Sequence, residues 1–129
     1  MATGSLITND GRKIMLNRTW KAVPDYTAPT KFRTGTGTTT PTLSDTSIET
    51  PIGSDTAFVS GFPTLDETNH ETTIRGFISS VDLNGNTISE AGVKNTDGTP
   101  LLHQRAVFTG ITKNANVQIA FIWKNRITV

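Results

Sequence analysis

An all-β fold, an antiparallel β-sandwich or jelly-roll-like barrel, is what this sequence predicts, and three observations carry the prediction. Threonine supplies 24 of the 129 residues, a bias toward β-branched side chains that suit a pleated surface better than a helix. The end of the chain alternates. Val117, Ile119, Phe121, Trp123, Asn125, Ile127 and Val129 fall on one face and Gln118, Ala120, Ile122, Lys124, Arg126 and Thr128 on the other. Eleven Gly and six Pro supply turn punctuation, including Asn84-Gly85 and Asp97-Gly98. At ~100 to 200 residues per domain the chain is one domain, and with 34% hydrophobic residues its core is small.

Taken in order, residues 1–31 form an N-terminal arm or short helix and residues 32–129 the sandwich. Gly11 to Trp20 reads as a short helix or as the second arm of a hairpin turned at Asp10-Gly11. Its Lys, Met, Leu and Arg content favours the helix. Residues 34–42 hold no large apolar side chain, so they are expected outside the core, as a loop, an edge or an arm lying on a neighbour. Thr72 to Val81 reads as a strand, and Asn84-Gly85 as a type I′ turn leading into a second strand, Thr87 to Lys94. Asn95-Thr96-Asp97-Gly98 repeats the device before Leu101 to Thr109, where Leu102, Ala106 and Phe108 can face inward. With the final alternating strand, these four are expected in meander order.

Charge falls in three blocks. Residues 1–33 carry six basic and two acidic side chains, residues 34–100 two basic and nine acidic, and residues 101–129 four basic and none acidic. The blocks either interleave and cancel within the fold or set a basic face of one copy against an acidic face of the next. On the second view Arg12, Lys13, Arg33, Thr38, Asp66, Glu67, Glu71 and Arg126 are the candidate contacts between subunits of a homo-oligomer.

Catalysis finds little support. With no cysteine there is no disulfide framework, thiolate nucleophile or thiolate-bound metal. His70 and His103 lack ligand spacing and read as surface or packing residues. Asp66, Glu67 and Glu71 lie close in sequence, which does not place two carboxylates across a bond. Gly35-Thr36-Gly37 lacks the Lys or third Gly of a phosphate loop. Asp82-Leu83-Asn84-Gly85-Asn86 has Thr87 where a calcium loop needs Gly, and reads better as a turn. Trp20, Tyr26, Phe58 and Phe62 are either small-core aromatics or a sugar platform, the latter making a carbohydrate-binding module the least favoured reading. The expectation is a protein that is not an enzyme and has no metal or cofactor.

A basic stripe interleaved with aromatics is missing, so nucleic acid is not an expected partner, and no run of ~18 apolar residues exists to cross a membrane. The first ten residues lack the basic and apolar regions of a secretory signal, so synthesis in the cytoplasm is expected. The glycosylation triplet Asn17-Arg18-Thr19 is then incidental.

Two stretches carry a family likeness. Phe32-Arg33-Thr34-Gly35-Thr36-Gly37-Thr38-Thr39-Thr40-Pro41-Thr42-Leu43-Ser44-Asp45-Thr46, followed by Ile48-Glu49-Thr50-Pro51, resembles a run found in small β-rich structural proteins of tailed bacteriophages. Asn86-Thr87-Ile88-Ser89-Glu90-Ala91-Gly92-Val93-Lys94-Asn95-Thr96-Asp97-Gly98-Thr99-Pro100-Leu101-Leu102, with Arg105, Phe108 and Ile111-Thr112-Lys113, is similar to a second run in the same proteins. Val93-Lys94 stands where that pattern has Leu-Phe, which removes an apolar aromatic. The resemblance implies a virion building block, with a capsid decoration or cement role expected and a neck, tail or fibre-attachment role as the alternative. The partners it implies are the major capsid protein or neck and tail proteins. The residues themselves allow Glu90 to bridge nearby amides, Gly92 to accommodate a bulge or a close strand approach, and Asp97-Gly98 to set register.

Overall fold

A computed structural model describes residues 4–128; Met1, Ala2, Thr3 and Val129, the last position of the terminal alternation, lie outside the described residues. The elements are β1 (Gly4–Ile7), α1 (Asn9–Trp20), β2 (Lys31–Gly35), β3 (Pro51–Ala57), β4 (Thr64–Asp66), β5 (Glu71–Ile78), β6 (Thr87–Lys94), β7 (Leu102–Thr112) and β8 (Ile119–Arg126). They form two antiparallel sheets, one ordered β1-β7-β6-β2-β3 and one ordered β4-β5-β8. The sheets end in free edges, so the expected sandwich class stands and the barrel form does not. A single core joins them: Phe32, Ile88, Ala91 and Val93 from the larger sheet meet Ile74, Ile78, Ile119 and Trp123 from the smaller. Phe121 and Trp123 stack at 5.6 Å between ring centroids, and Phe32 tilts against both.

The N-terminal segment is built into the larger sheet. β1 pairs with β7, Leu6 lying opposite Arg105, and α1 follows at once. Thr8 is the N-cap: its Oγ1 accepts from the Gly11 amide at 3.0 Å and donates to the Leu102 carbonyl at 2.5 Å. Gly11 must lack a side chain because a Cβ there would strike the His103 carbonyl. After the helix, Asn17 brackets Asp25 through two hydrogen bonds, engaging the amide of the glycosylation triplet.

Residues 34 and 35, expected outside the core, are a central strand instead. Thr34 and Gly35 lie in β2 between β6 and β3, and both are buried. Small side chains are needed here because the segment up to Ile48 folds over the outer face of β6. A Cβ on Gly37 would come within 2.7 Å of a Glu90 carboxylate oxygen, and one on Gly35 would collide with the same atom. β6 is therefore buried on both faces, which explains its lack of polar alternation. A register shift between Ile88 and Glu90 lets Ile88, Ala91 and Val93 all face the core while Glu90 and Gly92 face outward. Gly92 itself marks a close approach, with Ile48 and Leu102 where a Cβ would reach.

The meander expectation fails at Asn84-Gly85. Gly85 and Leu83 have positive φ, whereas a type I′ turn needs it at Asn84 and Gly85, and the connection crosses between the sheets rather than pairing β5 with β6. β5 pairs with β8 over its whole length, from Glu71 opposite Arg126 to Ile78 opposite Ile119. Of the four strands expected in meander order, only β6 and β7 form a hairpin, and its loop is wider than a two-residue turn. Asn95 closes it, donating to and accepting from Leu101. Asp97 serves the loop by accepting from the Thr27 amide and the Asn95 side chain.

Candidate functional site

A groove of about 470 Å³ opens at the end of the sandwich where α1 packs. Three strands do not cover five. The gap is walled by Ile7, Met15, Pro29 and His103 on the side of the larger sheet and by Leu65, Ile74, Asn125 and Ile127 on the side of the smaller. The lining is chiefly apolar, and Leu65 and Ile127 remain 70% and 72% exposed. Ile127 shares the inward alternation of Trp123, yet it lies beyond the paired length of β8 and turns into the groove instead of the core.

The rim is charged. Asp66, Glu67, Glu71 and Arg126, four of the eight candidate contact residues, all line this groove. The tight β4–β5 turn puts the three acids there, and the end of β8 brings Arg126. Asp66 accepts from the amides of Thr68 and Asn69 and from the Asn69 side chain, and His70 at φ 57° closes the turn with its carbonyl bonded to the Ile127 amide. Hydrogen bonds from the Asn69 side chain and backbone hold the Asp66 carboxyl below its ordinary value, against a smaller opposing effect of desolvation. Among the described residues, none of Asp66, Glu67, Glu71 and Arg126 forms an ion pair.

His70 and His103, distant in sequence, both line the groove, and among the described residues no three His, Asp or Glu side chains cluster closely enough to hold a metal ion. His103 is the buried one. Its Nδ1 lies 3.0 Å from Gln104 Oε1, which also accepts from Asn125 Nδ2, so Nδ1 carries the proton of the neutral ring. Burial lowers its pKa, and the Gln104 bond only partly offsets this. At neutral pH the wall is uncharged and the rim predominantly negative, an arrangement that seats apolar side chains flanked by cations.

The other candidates lie elsewhere. Arg12 and Lys13 are exposed on α1, with Lys13 over the Tyr26 ring. Arg33 is engaged within the chain, donating to the Ile52 and Gly53 carbonyls and pairing with Asp55. Thr38 is exposed on the segment over β6, its amide bonded to Glu49. The four aromatics considered as a sugar platform divide between the α1 end, with Trp20 and Tyr26, and the β3–β4 connection, with Phe58 and Phe62.

A second, buried cluster joins the segment of residues 36–50 to β6 and β7. Glu90 Oε1 accepts from the amides of Gly37 at 3.1 Å and Thr50 at 2.7 Å; Oε2 accepts from Glu49 N at 2.9 Å and from Arg105 Nε and Nη2. Arg105 Nη1 reaches Asp45 at 2.9 Å, and Asp45 in turn accepts from Thr42. Desolvation opposes ionisation of Asp45, yet the Thr42 and Arg105 bonds prevail and lower its pKa. This network staples the segment of residues 36–50 onto β6 and serves structure.

Comparison of the chain with protein-family models, with curated proteins and with solved structures finds no match. No helix among the described residues is long and apolar enough to cross a membrane.

Proposed function

We propose that this protein is a structural component of a tailed-phage virion, a decoration protein that binds the assembled head and acts by docking rather than by a reaction. The observation that carries the reading is the groove: an apolar floor beneath a predominantly acidic rim whose carboxylates form no ion pair among the described residues. Support comes also from the convergence of both phage-like stretches on the Glu90–Arg105 staple, which gives their Gly, Asp, Glu and Arg residues a common physical purpose. β8 returns beside β5 in one sheet while the β6–β7 hairpin lies in the other, and two-sheet antiparallel β architectures recur in viral capsid proteins. On this reading the protein is made in the host cytoplasm and resides in the virion. Preferential binding to the assembled shell stabilises that shell by mass action.

A neck, tail or fibre-attachment role is the second reading, favoured by the free edge of β8. The Ile127 amide bonds the His70 carbonyl, so alternate residues Asn125, Trp123, Phe121 and Ile119 turn their backbone groups toward β5. Ala120, Ile122, Lys124 and Arg126 then present theirs outward, where a strand of a neighbouring protein can add. Quantitative mass spectrometry of purified particles, normalised to the major head protein, separates the two. Hundreds of copies support head decoration, a few to a few tens move the protein to the neck or tail, and absence overturns both.

A further inference from the structure

The groove has a complement on the same molecule. Leu16 and Trp20 lie one helical turn apart on α1 and are 66% and 80% exposed, with Val23 just beyond the helix equally bare. Arg12 lies a further turn back on that face and Lys13 adjoins it. Neither forms an ion pair among the described residues. Tryptophan, with arginine, is the side chain most often found at the energetic centre of an interface.

We propose that the occupant of the groove is α1 of a second copy of this chain, with Leu16 and Trp20 seated on the apolar floor and Arg12 and Lys13 facing the Asp66, Glu67 and Glu71 rim. The inference rests on the reading of the groove as a docking surface and gives that surface its partner. Charge complementarity selects the helix over the free edge of β8, where Lys124 and Arg126 repel a second β8; Arg126 also lies on the groove rim, where the three carboxylates outnumber it. Symmetry follows from adjacency. Met15 of the same helix lines the groove, so the donating face and the accepting groove are neighbours, and one two-fold axis satisfies both twice. The product is a closed dimer joined by two helix-in-groove junctions.

Sedimentation equilibrium of the full chain tests this with two variants at exposed positions, Trp20→Ala and Leu65→Asp, whose fold is checked by circular dichroism. The wild type is expected at twice its 13.9 kDa monomer mass. Each variant alone should dissociate at least about tenfold more readily. A wild type that stays monomeric, or a dimer indifferent to Trp20→Ala or to Leu65→Asp, overturns the pairing. A monomer that still enters particles in quantity overturns the pairing alone and leaves the virion role standing, whereas a dimer absent from particles does the reverse.

Discussion

Glu90 is the residue on which the outer layer depends. It is fully buried, and its two oxygens collect three amides and the Arg105 guanidinium. Glu90→Ala leaves those amides unbonded and Arg105 without its principal partner, and removing one member of a buried pair costs about 3–5 kcal/mol. Urea denaturation should register that loss, and increased proteolysis between residues 36 and 50 should accompany it. His103 provides a second test. Its folded pKa lies below the unfolded 6.5, so on acidification the unfolded chain takes up the proton first and stability falls as pH drops from about 6.5 toward the folded value. His103→Gln should flatten that slope in unfolding free energy measured between pH 7.5 and 5. Asp45 acts lower on the scale. Its pKa is depressed below the ordinary 3.8, so its contribution is present above that value and is lost as pH falls through the folded one. A bridging role for Glu90 was legible because a lone acid sits in an otherwise small and apolar run beside Gly92. Arg105 was not, because nothing in the order of residues says which β7 side chain crosses to β6.

At the scale of elements, α1 shows how a short helix is held without an apolar stripe. Only Gly11 and Ile14 are buried along it, so its place is fixed by its first turn. Thr8 caps the helix and bonds the Leu102 carbonyl, tying α1 to β7 with one hydroxyl. Thr8→Ala should cost about 1–2 kcal/mol in urea denaturation, while Thr19→Ala, exposed on the last turn, should stay within about 0.5 kcal/mol of wild type. The helix was readable from its residue types and the last strand from its period of two. The pairing of the strands was not, because a Gly-containing turn specifies a reversal and does not say whether the chain returns beside its neighbour or crosses to the other sheet. Burial of Thr34 and Gly35 escaped the sequence for a related reason. A segment without large apolar side chains ordinarily belongs outside, and here smallness is what admits the covering layer.

For the whole molecule, the segregated charge along the chain gains a physical meaning. Of the basic N-terminal block, Arg12, Lys13, Arg18 and Lys21 lie on or beside α1 while Lys31 and Arg33 lie on β2, where Arg33 pairs with Asp55; part of the acidic middle lies on the groove rim, and among the described residues no ion pair joins that rim to the block. Acidic residues of the rim could be singled out from sequence because they cluster at one turn. The apolar floor could not, since Leu65 stands alone between polar neighbours and Ile127 reads as core. If the groove is the surface through which the protein assembles, its integrity should govern entry into particles. The most direct measurement is a competition: wild type and Leu65→Asp are co-expressed during infection, and their ratio in purified particles is compared with their ratio in the cell. Depletion of Leu65→Asp from particles, with Val81→Asp, exposed and away from the groove, entering in proportion, is the expected result. Equal entry of Leu65→Asp would contradict the assignment of this groove as the docking surface.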